Sequence, residues 1–559
     1  MEGESYCMMR RMPAARRRRT DFVLLAVFAI AAGLFLFGID WGLPNTYSWN
    51  GDDISPDKPL RVVWNWFFGW HKYPYLHWWL SFALYSPYLA WLALRGELDP
   101  ACFPRFEAEC FADPVGSLTL LMLLSRLLAA AMALGIVGLT VATARALGLG
   151  RPAVWATAAA AAFSPVLVFF AHTGNLDVPQ AFWFSVWLWF FVQVVQGGTT
   201  RDYVGFGLAL GAAVATKEGI GGAFVLPALA VYALQLRRVR AQGGAARALV
   251  QATFNRRLWW LAGSAIAVYV CVQNPIFNAD GFARHLEAWN PAGERMESFR
   301  TGFTGWGRFG RQLARAIGEG AGPAIATLGV AGAVWAVVRR RPAAWLLLPA
   351  LSYVGISLLT ARFAPVRFAL PLISILAIGV GEGVQAAGRA PRWLRGSVWV
   401  GVGLALAQSF LLGLNLDLFL QNDSRYRAET WLREHGAAGD RVAVFAPARY
   451  LPRLEPLGHE RWEVPESAWS APGIATGAPR WIVLSDRFHP RFEGARGEFF
   501  SELKRGGLGW EVVWEGRGTT PLEPWFGGPG LVGAINPYFT ILGQPARVRV
   551  SPAPRSPAR

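Results

Sequence analysis

The sequence predicts an all-α polytopic membrane protein followed by a small α/β domain. Of its 559 residues, 53% are hydrophobic and only 16% are charged, whereas soluble domains carry about 25% charged residues. The mean hydropathy is positive, at +0.29, and the 27 Trp residues are typical of helix ends at membrane interfaces. These observations exclude a soluble globular protein of this size and an intrinsically disordered chain.

About eleven transmembrane helices are predicted from apolar runs without charged residues. A span needs about 20 apolar residues to cross roughly 30 Å of hydrocarbon. The first run is predicted to be a retained span, because it is long for a signal peptide and no Ala-x-Ala site follows it. The eleven runs are 22–39, 127–144, 152–171, 178–200, 203–216, 219–236, 258–279, 320–338, 342–361, 368–381 and 396–416.

The positions of Lys and Arg predict the orientation of these spans. With residues 1–21 in the cytoplasm, the inner segments hold 21 Lys and Arg in 66 residues, against 14 in 132 for the short outer segments. The aromatic run 73–94 is predicted to be re-entrant or juxtamembrane, because a full span there would turn the basic loop 237–257 outward. The predicted organisation is a cytoplasmic tail at 1–21, a transmembrane domain at 22–418 with a large outer loop at 40–117, and an extracytoplasmic domain at 419–559.

The C-terminal region has the composition of a soluble domain, with charged residues, Pro and Gly. Its alternation of short β-rich and helix-like runs is typical of a small α/β domain. The β-rich runs are 441–446, 481–484, 511–514 and 547–550, and the helix-like runs are 426–435 and 496–505.

The four cysteines are too few for a disulfide scaffold. Cys102 and Cys110 share the predicted outer loop, where disulfides can persist. A bridge between them is one hypothesis, and two free thiols are the other.

The formal charge of +17 does not predict nucleic-acid binding. Lys and Arg fall in short clusters between apolar runs, as topology signals do, and not along one continuous basic face.

Two features of the first outer loop carry candidate chemistry. Asp52 and Asp53 are adjacent carboxylates, one of which can have a raised pKa suited to a base; a solvated acidic loop is the alternative. Lys72 is followed by Tyr73 and Pro74 and then by a segment that contains His77 and several aromatic residues. A cation beside an aromatic wall at membrane depth can hold an anionic lipid head group, or Lys72 can simply extend to water as an interfacial anchor.

A second acidic candidate lies between the third and fourth predicted spans. Asp177 is the only charged residue from Pro152 to Thr200 and follows His172 by five positions. An isolated carboxylate at the edge of hydrocarbon is costly unless it has a partner or a function. We therefore favour a functional Asp177 over a simple helix N-cap.

Cations at other predicted outer helix ends indicate an anionic ligand. Lys217, Arg362 and Arg367 lie at such ends, and Arg126 lies inside the second span. Arg can hold phosphate bidentately, whereas Lys acts as a point charge. Local ion pairs, such as one between Lys217 and Glu218, are the alternative interpretation.

In order and spacing these motifs resemble the GT-C-type membrane glycosyltransferases, in the branch of protein O-mannosyltransferases and bacterial aminoarabinose transferases. The resemblance covers nearly the whole chain. The motifs that carry it are Asp52-Asp53, Lys72 to Trp79, His172 to Pro179, Thr216-Lys217, Arg367 to Pro371, and the stretch from Asp423 to Glu434.

This resemblance implies a GT-C-like fold and inverting transfer of a sugar from a polyprenyl-phosphate donor to an acceptor on the outer face. It implies that an acidic residue of the first outer loop, at the position of Asp52, is the base, with Asp53 and Asp177 as the other candidates. The expected donor phosphate ligands are Lys72, Lys217, Arg362 and Arg367, and the expected further substrate contacts are His172, Tyr73, His77 and Arg126.

Sugar, polyprenol and acceptor stay open: protein, glycolipid and cell-wall polymer are all compatible acceptors. A divalent metal near Asp52, Asp53, His71 and His77 is compatible with the sequence, but no ligand spacing identifies one.

The abundant Arg and Ala suggest a bacterial plasma membrane. A lipid-linked sugar flippase, a membrane scaffold presenting the C-terminal domain, and a lipid-pyrophosphate oligosaccharyltransferase are the alternatives.

Overall fold

The computed structural model describes residues 21–50, 53–54, 56–240, 245–288, 302–487, 494–528 and 535–544. Up to residue 421 the described chain is helical. Its α-helices are α1 (Phe22–Leu36), α2 (Asp57–Leu60), α3 (Val62–Phe67), α4 (Leu76–Leu94), α5 (Pro114–Ala146), α6 (Arg151–Ala162), α7 (Pro165–Ala171), α8 (Asp177–Val195), α9 (Thr200–Val214), α10 (Val225–Arg240), α11 (Ala245–Thr253), α12 (Arg256–Gln273), α13 (Ala279–Glu287), α14 (Phe303–Ala321), α15 (Pro323–Val338), α16 (Leu347–Ser352), α17 (Leu359–Ala361), α18 (Leu370–Ala387) and α19 (Arg392–Gln421).

Among the described residues, six helices are long and apolar enough to cross a membrane, or eight if each of two bent pairs forms one span. The six are Pro114–Ala146, Asp177–Val195, Glu218–Arg240, Pro342–Ala361, Val366–Ala387 and Arg392–His435. They coincide with predicted spans, so the helical membrane fold is confirmed while the number eleven stays a prediction. Helix α1 illustrates why fewer helices than predicted spans meet the criterion. Its 15 residues reach only about 22 Å, which is less than the roughly 30 Å of hydrocarbon.

The aromatic run 73–94 folds largely as α4, a 19-residue helix with Pro87 inside it. Among the described helices, α4 is not one of the six that meet the length and hydropathy of a span. Its first backbone N–H, at Leu76, donates to Ala215 O over 3.2 Å. This bond joins the start of α4 to the segment that carries Lys217.

Local sequence signals explain where the long helices begin. At the start of α5, the Asp113 carboxylate accepts a hydrogen bond from Gly116 N over 2.9 Å, and Pro114 occupies the first helical position. This is a favourable N-cap, because it satisfies a backbone donor that has no partner within the helix.

Small residues allow α15 and α18 to pack closely. A Cβ at Gly379 would lie 2.1 Å from Gly329 O, and one at Gly332 would lie 1.8 Å from Gly379 O. The backbones of the two helices are therefore in direct contact. Such small-residue interfaces replace the hydrophobic driving force, which is absent between helices in lipid.

The C-terminal part, after α19, contains a five-stranded sheet and four short α-helices among its described residues. The elements are α20 (Ser424–His435), β1 (Arg441–Val444), β2 (Glu460–Glu463), α21 (Ala471–Thr476), β3 (Trp481–Ser485), α22 (Ala495–Lys504), β4 (Glu511–Gly516), α23 (Glu523–Phe526) and β5 (Phe539–Gly543). The strand order in the sheet is β2-β1-β3-β5-β4. β1 pairs in parallel with β2 and β3, while β5 is antiparallel to β3 and β4.

Alternating side chains place the sheet between two helical layers. Val442 and Val444 of β1 pack with Leu432 of α20 on one face, and Ala443 packs with Leu503 of α22 on the other. This period of two is the one expected for a strand that is covered on both faces.

The structure confirms three of the four predicted strands and both predicted helices in this region. The fourth predicted strand, 547–550, lies outside the described residues. β2 was missed because its sequence, Glu-Arg-Trp-Glu, belongs to an edge strand that is half exposed to solvent. β5 was missed although it is apolar and fully buried.

The structure also joins Cys102 and Cys110 in a disulfide, with their Cα atoms 6.2 Å apart. The bridge closes a small subdomain of the first long loop, in which Leu98 and Phe111 form an isolated antiparallel pair. Of the two hypotheses for these cysteines, the structure therefore shows the bridge and not the free thiols.

We expect Gly379→Ala to lower the thermal unfolding midpoint of the purified protein, because overpacking a close interface costs about 1–3 kcal/mol. The matched control is Gly383→Ala, one turn further along α18, where a Cβ meets nothing within 4 Å. The control should be neutral or slightly stabilising, since Ala is the better helix former. Equal midpoints for the two variants would contradict the packing described here.

Candidate active site

A cavity of about 220 Å³ lies where five separate parts of the membrane domain meet. The first loop, the segment before α4, the loop before α8 and two residues near later helix ends line it. The lining residues are Asp53, Ile54, Lys58, His71, Lys72, Tyr73, Asn175, Leu176, Asp177, Lys217 and Arg367. Among these described residues, four cationic side chains face two carboxylates, so the cavity is suited to an anion.

Asp177 and Lys217 form an ion pair on one wall of the cavity. Lys217 Nζ lies 2.5 Å from Asp177 Oδ1, and the two side chains are 11% and 3% exposed. Arg367 Nε lies 4.0 Å from the other carboxylate oxygen. Asp177 is the first residue of α8, where the helix dipole also favours a negative charge. The buried carboxylate is thus compensated on both sides.

Short polar contacts hold this pair in place. Asp177 N donates to Asn175 Oδ1 over 2.5 Å, and Gln180 Nε2 donates to Lys217 O over 2.8 Å. Lys217 Nζ also lies 5.3 Å from the centre of the Phe368 ring and 6.0 Å from that of Tyr73. The lysine is therefore fixed by charge, by hydrogen bonding and by aromatic faces.

Asp53 lies on the wall contributed by the first loop. Its carboxylate accepts from the Ser48 hydroxyl and from Asn50 Nδ2 over 3.3 Å. The next residue, Ile54, donates its backbone N–H to Gly174 O over 3.3 Å. This bond joins the acidic loop to the loop that carries Asp177. Asp52, the residue implied as the base, lies outside the described residues.

His71, Lys72 and Tyr73 contribute a third wall just before α4. The Tyr73 backbone N–H donates to His71 Nδ1 over 3.0 Å, so in the neutral ring the proton is on Nε2. Burial, and secondarily the charge of Lys58, lower the pKa of His71 to about 3. His71 is therefore a neutral hydrogen-bond donor at the edge of the cavity.

A polar cluster behind Lys217 supports this wall. His285 Nδ1 lies 2.8 Å from His71 O, and its Nε2 lies 2.5 Å from Glu218 Oε1. Tyr269 and Gln273 donate to the same Glu218 oxygen over 3.1 and 3.4 Å. Burial opposes the charged form of His285, but the hydrogen bond and charge of Glu218 outweigh it and raise its pKa.

Four predicted site residues do not line the cavity. Both ring nitrogens of His172 lie within 2.9 Å of the carbonyl oxygens of Val168 and Phe37, so its ring packs between helices. His77 is fully buried beside the cavity-lining segment. Arg126 Nη1 donates to Ile39 O and Trp41 O, each over 2.7 Å, and so anchors the start of the first loop. Arg362 is the left-handed C-cap of α17.

Three polar lining residues were absent from the predicted set: Lys58, His71 and Asn175. Lys58 follows Asp53 by five positions, and His71 immediately precedes Lys72. Their closeness in sequence to predicted residues was the available signal. Among the described residues, no group of three His, Cys, Asp or Glu side chains is placed to hold a metal ion.

Fold and site together define a polytopic helical membrane protein with a charged cavity at helix ends and an appended α/β domain. Residues 121–272 match the family model described as dolichyl-phosphate-mannose-protein mannosyltransferase. The matched stretch includes the His172 to Pro179 and Thr216-Lys217 motifs. The predicted family resemblance is thus confirmed over this part of the chain. A comparison with curated protein sequences finds no match.

Three solved structures of glycosyltransferases match this chain at low sequence identity. ArnT from Cupriavidus metallidurans, bound to undecaprenyl phosphate, is 14% identical over 94% of this chain and 98% of its own, with a TM-score of 0.45. The Archaeoglobus fulgidus oligosaccharyltransferase is 14% identical over 82% of this chain and 67% of its own, with a TM-score of 0.42. Mycobacterial arabinofuranosyltransferase AftD is 15% identical over 94% of this chain and 40% of its own, with a TM-score of 0.43.

We expect Lys217→Met to destabilise the protein by about 3–5 kcal/mol, because it leaves Asp177 buried with its nearest charge partner removed. The double variant Asp177→Asn/Lys217→Met should recover most of that loss, since no carboxylate remains to be compensated. Thermal unfolding in detergent measures both. Lys58→Met, at a 36% exposed lysine of the same cavity, is the control and should shift the midpoint little. A double variant no more stable than Lys217→Met would contradict the pairing.

We expect the thermal midpoint to fall as the pH rises above the ordinary histidine pKa of about 6.5. The raised pKa of His285 means that its pairing with Glu218 is fully present below the ordinary histidine pKa and is lost as the pH passes the raised value. His285→Gln should lower the midpoint at the acidic end and flatten this dependence. The control is His435→Gln, at an exposed histidine of α20, which should keep the wild-type profile. An unchanged slope in His285→Gln would exclude the His285–Glu218 pair as its source.

Proposed function

We propose that this protein is an integral-membrane glycosyltransferase that moves a sugar, with inversion, from a polyprenyl-phosphate donor to an acceptor on the extracytoplasmic face. The observation that carries the proposal is the cavity in which Asp53 and Asp177 face Lys58, Lys72, Lys217 and Arg367. The family match over 121–272 supports the same reaction class. The proposed location is a bacterial plasma membrane, with the N-terminus in the cytoplasm.

Donor binding follows from the cations of the cavity. A polyprenyl phosphate presents an anion at the membrane surface, and Lys72, Lys58 and Arg367 line the cavity from three different segments. Lys217 is held against Asp177, so its contribution is to orient this wall and to add positive potential. Fixed cations in a site shielded from water stabilise the negative charge that moves onto the departing phosphate.

The acidic loop supplies the base in this proposal. The acceptor hydroxyl attacks the anomeric carbon of the sugar while the bond from that carbon to the phosphate oxygen breaks. The hydroxyl proton passes to Asp52 or Asp53, and polyprenyl phosphate leaves with the bonding electrons. Asp53 lines the cavity, and its hydrogen bonds from Ser48 and Asn50 orient the carboxylate. Asp177 is the weaker candidate, because its negative charge is already compensated by the ammonium group of Lys217.

The proposal covers more than one class of sugar and more than one class of acceptor. Hexosyl and pentosyl donors both fit the proposal, and the acceptor is a protein, a glycolipid or a cell-wall polymer. A flippase for a lipid-linked sugar is the alternative from another class, and a lipid-pyrophosphate oligosaccharyltransferase is the alternative among transferases.

We expect wild-type protein in proteoliposomes to release label from one member of a panel of radiolabelled polyprenyl-phosphate sugars when acceptor extract is present. Asp52→Asn should abolish this release with membrane insertion intact, because a general base contributes roughly 10²–10⁴-fold. Asp53→Asn tests the neighbouring carboxylate in the same assay. Asp99→Asn, at an exposed aspartate of the same loop, is the matched control and should retain full activity.

The outcomes separate the candidates. Loss in only one acidic-loop variant identifies the base, whereas near wild-type release in both moves that role to Asp177. Labelled lipid that crosses the bilayer without release of sugar would replace the transferase by the flippase.

A further inference from the structure

The C-terminal domain packs against one tryptophan of the first loop. Trp49 is fully buried, and two guanidinium groups contact its ring: the Cζ atoms of Arg425 and Arg453 are 4.3 and 5.3 Å from its centre. Tyr426 packs edge-on against the same ring, with centroids 4.9 Å apart. Cation–π and aromatic contacts of this kind are strongest where water is excluded.

Both arginines are fixed by their own counter-ions, so they form a rigid support. Arg425 makes a bidentate pair with Asp423, over 2.8 and 2.7 Å, and both side chains are at most 1% exposed. Arg453 makes the same kind of pair with Glu429, over 2.9 and 2.6 Å. A bidentate fork fixes the plane of a guanidinium as well as its position.

The same group of residues also holds the backbone of the loop just before Trp49. Gly42 N donates to the Tyr426 hydroxyl over 2.7 Å, and Arg453 Nη1 donates to Leu43 O over 2.5 Å. Gly42 has a positive φ of +76°, and a Cβ there would lie 2.8 Å from the Trp49 ring. Backbone and ring are therefore seated together against the C-terminal domain.

The residues on either side of Trp49 are the ones that hold Asp53. Ser48 donates its hydroxyl to one carboxylate oxygen, and Asn50 donates its side-chain amide to the other. Asn50 N in turn donates to Ser48 Oγ over 3.2 Å, and Asp53 N donates to Asn50 O over 3.1 Å. The position of the Trp49 ring therefore sets where these two donors lie.

We infer that Trp49 is a positioning residue through which the C-terminal domain aligns the acidic loop for the transfer reaction. The inference rests on the proposed function, because it assigns this alignment to the step in which the loop accepts a proton. It also gives the C-terminal domain a role: it is a support for the cavity, and its arginine–carboxylate pairs hold the loop from outside the membrane domain. Donor binding is separate, because the cations of the cavity come from other segments.

The test compares substitutions of Trp49 in the full-length protein, in proteoliposomes, with the donor that the wild type turns over. Trp49→Leu keeps an apolar side chain and removes the aromatic face, and we expect kcat to fall about ten-fold or more, as for a misplaced catalytic group. The KM for the donor should stay at the wild-type value. Trp49→Phe restores an aromatic face and should recover most of kcat.

Two further variants keep the inference falsifiable. Trp187→Leu makes the same substitution at a fully buried tryptophan that packs against Phe191 in α8, away from the cavity, and it should leave kcat unchanged. Tyr426→Phe removes only the hydroxyl that binds Gly42 and should lower kcat less than Trp49→Leu does. Should Trp49→Leu fail to fold, the kcat and KM of Tyr426→Phe decide the question.

A second readout does not depend on turnover. Modification of Asp53 by a carbodiimide and an amine, located by peptide mass spectrometry, reports how firmly its carboxylate is held. It should speed up in Trp49→Leu and not in Trp187→Leu. Wild-type kcat and wild-type modification in Trp49→Leu would overturn the inference, as would a rise in donor KM with kcat unchanged. A wild type without transfer to any acceptor, combined with faster modification of Asp53 in Trp49→Leu, would remove the proposed function and leave the positioning role standing.

Discussion

A carboxylate buried inside a protein must be paired, and the pair between Asp177 and Lys217 meets that requirement. The two residues lie 40 positions apart, at the start of α8 and just after α9, and their charged atoms are 2.5 Å apart. An unpaired buried charge costs several kcal/mol. The pairing therefore constrains where α8 begins and where α9 ends, and with them one wall of the cavity.

The remaining walls are held to this one by backbone hydrogen bonds. Ile54 N binds Gly174 O, and Leu76 N binds Ala215 O, so the first loop and α4 each attach to a segment beside the ion pair. Cations and carboxylates from distant parts of the chain thereby share one small volume. The C-terminal domain adds a further constraint, because Arg425 and Arg453, each paired with a carboxylate, contact the ring of Trp49 in the same loop.

Much of the candidate site could be predicted, because charge in an apolar sequence is conspicuous. Five charged residues stood out for this reason, and all of them line the cavity: Asp53, Lys72, Asp177, Lys217 and Arg367. His172 and Arg126 stood out equally, but they bind backbone carbonyl groups between packed helices. A sequence shows that a polar group needs a partner in lipid, and it does not show whether that partner is a ligand or the protein backbone.

The sequence by itself determined the helical membrane architecture, three strands of the C-terminal sheet and the candidates for the site, because hydropathy and side-chain period are local properties. Tertiary structure alone decided which of these candidates meet, that His71 and Lys58 join them, and that Trp49 is held by Arg425 and Arg453. Those contacts link residues tens to hundreds of positions apart. They depend on how helix ends and loops pack in three dimensions, which no local pattern records.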